Sequence, residues 1–561
     1  MLKVEGLSIA FRTAEGLRPA VTDMSFEISP GEILGLVGES GSGKTLMSLA
    51  VMGLLPPNAV VTAGRVLDQG VDLLRLPPEA LRRRRGAEIS MIFQDPMASL
   101  DPLYRCGDQV IEAILLHEAI GRRAARARAL DLFAKVRLPD PARAMRAYPH
   151  ELSGGQCQRV MIAMAIVCSP RIIIADEPTT ALDVTVQRQV LDLLRDLNRE
   201  VGAAILLITH DLGVIAQTAD RVAVMYQGQM VEEAKTADLF TRPQQPYTRG
   251  LIGAMPKGRQ APGEGLTTVA AAAAGTTRPI ALRAPPDRSG PPLLELRDLG
   301  KSYRIPGGLM AGARTLRAVD GVSLSLWPRE TLGLVGESGC GKTTLSRLIL
   351  RLSQPDSGQM LFAGRDITHL PPKAMGPLRR EISMVFQNPF GSLNPRQTVE
   401  ELVSAPLIIH GEGDATSRQA RVARLVEHVG LPRSALSRYP HEFSGGQRQR
   451  IVIARALALN PKLVICDEAV SALDLSVQAQ VLNLLADLQA EHDLAYLFIS
   501  HDLSVVEHVS DRIAVMQKGR IVEAGPADEI FAAPKAPYTR ALLSAVPRIP
   551  GESVRPEEIS Q

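Results

Sequence analysis

Two stretches, GESGSGKT at 38–45 and GESGCGKT at 336–343, carry the residue types and spacing of a phosphate cradle. Glycines let backbone N–H groups converge on phosphate oxygens where a side chain would block the approach. The first loop comprises Gly38, Glu39, Ser40, Gly41, Ser42, Gly43, Lys44 and Thr45, and the second Gly336, Glu337, Ser338, Gly339, Cys340, Gly341, Lys342 and Thr343. Lys44 and Lys342 would reach the phosphates, and the Thr45 and Thr343 hydroxyls would bind Mg2+. A second pattern follows in IIIADE and LVICDE, where an apolar run delivers two carboxylates. Asp176 and Asp467 suit Mg2+ coordination, while Glu177 and Glu468 suit a base that orients and activates an attacking water. One such pair alone could equally be a helix cap. Its recurrence downstream of a phosphate loop, twice, favours chemistry.

These groups need elements to aim them. ILGLV (33–37) and TLGLV before the second loop read as buried parallel strands, and KTLMSLAVMGLL reads as a helix. Strand, loop, helix is the context that turns a motif match into a phosphate site, and the helix N-terminus adds a favourable dipole. The carboxylates would lie at the C-terminal edge of an open α/β sheet, where ligands bind.

The chain is a duplication. SGGQ at 153–156 matches SGGQ at 444–447, ADE matches CDE, and ITHD matches ISHD, all at a constant offset of 291 residues. The two loop lysines stand further apart, so the second copy is shorter between loop and SGGQ. The closing phrases PYTRGLIGAMP and PYTRALLSAVP also pair. This is a two-domain repeat rather than a short-period solenoid. The sequence predicts domains at 1–256 and 293–547, a flexible Ala/Gly/Pro linker at 257–292, and a tail at 548–561. A short docked helix through the alanines is the alternative for the linker.

With 561 residues the chain is too long for one core, and 45% hydrophobic with 22% charged residues is ordinary for a globular protein. A net charge of +3 weighs against a protein that coats nucleic acid. The run Arg82–Arg85 reads as a solvated face, with lipid headgroups or a partner as the alternative. No secretory signal and no membrane-spanning stretch is evident, since VMIAMAIVCSPRIIIAD is cut by Pro170 and Arg171. Five cysteines form no CxxC pair, which fits a reducing compartment.

With SGGQ, the Asp-Glu pairs and the strand-end His210 in this order, the chain resembles the nucleotide-binding subunits of ABC transporters over both halves. The resemblance implies two tandem P-loop NTPase domains of α/β class. Each would have a mostly parallel RecA-like sheet, an antiparallel β subdomain and a helical subdomain, and would act as an ATPase. It assigns Gln94 and Gln387 to the loop that senses Mg2+ and contacts the membrane partner, and His210 and His501 to the γ-phosphate and attacking water. Asp183 and Asp474 match the D-loop. Phe11 and Tyr303 sit where an aromatic ring stacks on adenine, or are simple packing residues. The resemblance further implies that Ser153, Gly154, Gly155 and Gln156 cap the ATP of the opposite domain, as do Ser444, Gly445, Gly446 and Gln447. Each cradle would then need the other half.

SLDP (99–102), SLNP (392–395) and the PYTR endings are similar to the peptide/nickel importer branch, here with two ATPase subunits fused. That implies two integral membrane permease subunits, an extracytoplasmic solute-binding protein, and a peripheral position on the cytoplasmic face of the inner membrane. Peptides are the first-choice cargo, with glutathione, opine-like compounds and nickel chelates open. Many relatives carry a cysteine-rich segment for an iron–sulfur cluster after PYTR. Here no cysteine lies between Cys168 and Cys340, so no cluster is expected. Ala469 and Cys157 depart from the family pattern without removing a catalytic group, and Cys340 reads as a small filler near nucleotide. The competing class is a soluble tandem ABC ATPase acting on ribosomes. Such proteins typically show EPTNHLD, whereas here EPTTALD and EAVSALD stand in that place.

Overall fold

The computed structural model describes residues 1–179, 182–256, 258, 264–273, 276, 279–305, 314–386, 389–471 and 473–547. It divides into two compact units, Met1–Ile252 together with the chain from Pro547, and Gly253–Val546, each with the same architecture.

In the first unit β1 (Leu2–Thr13) pairs antiparallel with β2 (Gly16–Ile28) and β4 (Ala59–Asp68), which pairs with β5 (Val71–Asp72). A second, six-stranded sheet contains β3 (Ile33–Val37), β6 (Ile89–Ile92), β7 (Ile172–Asp176), β8 (Ala204–Ile208), β9 (Arg221–Tyr226) and β10 (Gln229–Lys235). Its order is β10-β9-β3-β8-β7-β6, all parallel except the antiparallel edge β10. Strands β3, β7 and β8 are buried at every position, which explains their unbroken apolar runs. Leu2, Ile9, Phe26, Met47, Ile174 and Leu206 share the core between the two sheets. The helices Cys106–His117, Arg122–Lys135 and Gly154–Ile166 pack on one another as the helical part.

The second unit repeats this. Strands β11 (Leu294–Ile305), β12 (Arg314–Leu326), β14 (Ser357–Phe362) and β15 (Arg365–Asp366) form the antiparallel sheet. The other sheet contains β13 (Thr331–Val335), β16 (Ile382–Val385), β17 (Leu463–Asp467), β18 (Ala495–Ile499), β19 (Arg512–Gln517) and β20 (Arg520–Pro526). Its order is β16-β17-β18-β13-β19-β20, with β20 antiparallel. Among the described residues, no helix is long and apolar enough to cross a membrane.

Two sequence expectations need correction. The linker expected at 257–292 carries fixed structure in its described part, which belongs to the second unit. Leu266 is fully buried, its N–H donates to Asn483 Oδ1 at 2.8 Å, and its carbonyl accepts from Asn483 Nδ2 at 2.9 Å. A five-residue helix, Val269–Ala273, follows; Arg283 pairs with Asp511, and Arg288 lies 2.8 Å from Glu330. Composition hid this because the anchoring side chains sit on distant elements. The arginine run also splits. Arg82 and Arg83 are exposed, but Arg84 pairs with Asp68 and Glu88, and Arg85 donates to the Met52 and Gly53 carbonyls at 2.7 Å each. Arg85 thus caps the end of the helix Lys44–Met52.

Candidate active sites

Each site grows from a parallel strand end. After β3 the chain passes so close to β9 that a Cβ at Gly38 would lie 2.2 Å from the Met225 carbonyl oxygen. Gly43, at φ 98°, occupies a backbone region that L side chains rarely adopt and starts the helix Lys44–Met52. Lys44 Nζ donates to the Gly38 and Glu39 carbonyls at 2.7 and 2.9 Å and lies 3.4 Å from Ser42 Oγ. In the second loop the Gly336 Cβ would meet Met516 O at 2.1 Å, and Gly341 has φ 115°. Lys342 Nζ donates to Gly336 and Glu337 carbonyls at 2.6 and 2.9 Å and lies 3.8 Å from Cys340 Sγ. Ser40, Gly41 and Thr45 are exposed, as are Ser338, Gly339 and Thr343. Both loops therefore hold a lysine over a glycine cradle that a side chain would fill.

Strand β8 lies between β3 and β7, so the ends of all three converge. Asp176, at the end of β7, accepts from Thr45 Oγ1 at 3.4 Å. Burial, helped by neighbouring Glu177 and opposed by Thr45 and Lys44, pushes its carboxyl up to about 6. Asp467 also reaches about 6, through burial and neighbouring Glu468 against Lys342. A desolvated carboxyl beside a hydroxyl is a donor set that fits a small dication.

Glu177 follows with φ 48°, and Glu468 with φ 50°. Each N–H donates 2.8 Å to the end of the neighbouring strand, at Ile208 and Ile499 respectively. This left-handed backbone is an unfavourable conformation for a non-glycine residue, and the strand-end hydrogen bond holds it. Glu177 Oε2 accepts from Gln94 Nε2 at 2.8 Å, and Oε1 lies 3.2 Å from His210 Nδ1. Gln94 follows β6, Glu177 follows β7 and His210 follows β8, so three strand ends meet at one carboxylate. In the second unit Glu468 Oε1 lies 3.3 Å from His501 Nδ1. Burial works against charge on His501, but the hydrogen bond and charge of Glu468, joined by Asp502, outweigh it and raise the imidazole pKa. Gln387 lies outside the described residues.

The remaining expected residues lie on other elements. Ser153 starts the helix Gly154–Ile166 with a capping box: its N–H donates to Gln156 Oε1 at 3.0 Å, and its Oγ accepts the Gln156 N–H at 3.4 Å. Ser444 and Gln447 repeat this at 3.1 and 3.4 Å. The paired glycines have different duties. A Cβ on Gly154 would meet open space and one on Gly445 only ordinary contact. On Gly155 or Gly446 it would strike Val186 or Val477, at 2.8 and 2.1 Å. Asp183 and Asp474 precede the helices Val184–Val201 and Leu475–His492 that carry those valines. Phe11 is half-buried on β1, and Tyr303 on β11 is 38% exposed with Lys301 over its ring. Sequence reasoning missed the left-handed glutamates, for which no local signal exists, and the contact of Tyr538 with the second loop.

The ABC transporter family model matches residues 21–180 and 319–471. The model for the oligopeptide/dipeptide transporter C-terminal region matches 231–279 and 522–560, which include both PYTR stretches. The chain is 47% identical to the glutathione import ATP-binding protein GsiA of Pectobacterium atrosepticum, covering 98% of this chain and 89% of that one. It is 46% identical to GsiA of Escherichia coli strain K12, covering 100% and 91%. The solved dimeric cassette MJ0796, in a post-hydrolysis state bound to ADP and Pi, aligns with 42% of this chain and 98% of its own, at 28% identity and TM-score 0.38. The chain belongs to the ABC transporter family, as two ATPase cassettes in one polypeptide, each followed by the C-terminal region of the oligopeptide/dipeptide transporters.

Proposed function

We propose that the chain is the energy-coupling ATPase of an importer for peptide-like solutes, with glutathione the first cargo to test. The observation that carries this is the Gln94–Glu177–His210 cluster beside a glycine cradle, with Glu468–His501 repeating it, in a chain aligned end to end with glutathione import ATPases. Lys44 and Lys342 would hold the ATP phosphates. Glu177 and Glu468 would orient the attacking water and take its proton, with His210 and His501 fixing each carboxylate. Thr45 with Asp176, Thr343 with Asp467, and Gln94 and Gln387 would hold Mg2+, which neutralises phosphate charge when bound. Tyr303 and Phe11 would stack on adenine.

The two cassettes would pair within the chain, so that Ser444 and Gly446 complete the site at Lys44, and Ser153 and Gly155 the site at Lys342. Ser153 and Gly154 are exposed, as is Ser444 ahead of the half-buried Gly445, which suits this because a helix N-terminus favours an anion. The assembly would include two permease subunits and an extracytoplasmic binding protein at the inner membrane, without an iron–sulfur cluster.

The test is reconstitution of the chain with its co-purifying membrane subunits in liposomes. Glutathione-loaded binding protein should raise ATP hydrolysis several-fold and drive uptake. Hydrolysis indifferent to binding protein and membrane subunits would end the importer reading. Stimulation by other short peptides alone would move only the cargo.

A further inference from the structure

The helices Ala415–His428 and Leu475–His492 end side by side, and their last residues bring His428, Glu491 and His492 together. One ligand atom from each lies within 4.8 Å of the others. His428 Nε2 is 2.6 Å from Glu491 Oε2, and the two imidazoles lie 5.6 Å apart between ring centroids. His492 Nε2 is buried without a hydrogen-bond partner, an unfavourable state for an imidazole nitrogen. Two helix C-termini meeting here also add partial negative charge, which favours a cation.

The first cassette shows what this position does. Its equivalent helices, Arg122–Lys135 and Val184–Val201, are bridged by Lys135 Nζ and Glu200 Oε2 at 2.5 Å. Lys135 ends a 14-residue helix as His428 does, and Glu200 is the penultimate residue of an 18-residue helix as Glu491 is. The second cassette has exchanged the ammonium for an imidazole and placed a second imidazole, His492, where the first has Val201.

We propose that His428, Glu491 and His492 form a site for a borderline transition-metal dication, Zn2+ foremost, which takes over the bridging charge that Lys135 supplies in the first cassette. Two imidazoles and one carboxylate are a ligand set that Zn2+ accepts, with a fourth position left to water. Tetrahedral coordination at these bond lengths puts ligand atoms about 3.4 Å apart, within reach of side-chain rotation. The ion would bolt together the ends of the two helices that carry the ligands.

The experiment titrates the tag-free full chain with Zn2+ against a chromophoric chelator, in excess Mg2+, beside His428→Lys and His492→Val, which restore the first cassette's residues. Wild type should bind one Zn2+, and each variant should bind it at least tenfold more weakly while keeping its ATPase activity. A wild type that takes up no Zn2+, or variants that bind it equally well, would overturn the site. X-ray absorption of the Zn2+-loaded wild type supplies a reading that needs no variant. A shell of two imidazoles supports the site, and a sulfur shell refutes it.

Discussion

Tyr538 Oη accepts the backbone N–H of Glu337 at 3.1 Å, tying the second PYTR segment to the second phosphate loop. Glu337 and Gly336 supply the carbonyls that hold Lys342, so this hydroxyl braces the loop that aims the lysine. In the first cassette Tyr247 packs against Tyr226, with ring centroids 4.2 Å apart. Tyr538→Phe should therefore weaken ATP binding at the second site about three- to tenfold, the range of one hydrogen bond. Nucleotide titration of this variant in a Glu177→Gln background reads it, and unchanged affinity refutes the brace.

The Glu–His pairs proposed as catalytic stand in both cassettes, so both should turn over. Glu177→Gln and Glu468→Gln should each lower steady-state ATPase activity more than tenfold, since losing a positioned base costs about 10²–10⁴ at its own site and the sites are proposed to close together. Either variant near wild-type rate would show that its site idles.

The buried carboxyls give a pH signature. Asp467 has its folded pKa raised to about 6, so the folded chain binds that proton more tightly than the unfolded chain. Its contribution to stability is present at low pH and lost as pH rises through about 6. Asp467→Asn removes the buried charge. Without nucleotide or Mg2+ it should be more stable than the parent at pH 8, by on the order of 2 kcal/mol, and equal to it near pH 4. Thermal unfolding across pH measures this, and a pH-independent difference would contradict it.

Cys340 is buried beside Lys342, where the first loop has Ser42. Thiol alkylation should inhibit hydrolysis, ATP should protect, and Cys340→Ser should keep activity while losing the sensitivity. Full activity after complete labelling of Cys340 would place it away from nucleotide.

The two signature glycines should separate stability from chemistry. Gly446→Ala forces a contact with Val477 and should destabilise by about 1–3 kcal/mol. Gly445→Ala has room and should leave the unfolding midpoint within a degree or two of wild type. Equal destabilisation by both would remove the distinction.

Much of this was legible because the chemistry is local. GESGSGKT carries its own strand, loop and helix, and the buried strands announce themselves as apolar runs. The duplication reinforced each assignment. What stayed hidden depends on partners far along the chain or on backbone angle. Nothing near Glu177 or Glu468 signals a left-handed conformation, because the cause is a strand-end carbonyl on a neighbouring β-strand. Tyr538 reaches a loop 201 positions earlier. Half of the arginine run turned out to be structural, since Arg85 finds the two carbonyls that the helix after the first loop leaves open.

The Asn483 amide has consequences for how such a gene can be divided. Separating the chain just ahead of Leu293, where the repeat restarts, would strip Leu266 from the second half. An interior amide would then lack both an acceptor and a donor, at roughly 1–3 kcal/mol for each unanswered group. Fission into two separate chains is mild only when the cut falls ahead of Gly253, because Ala254 already packs in the second core and the Gly258 carbonyl meets His508, so the seam of the duplication has become tissue of one daughter.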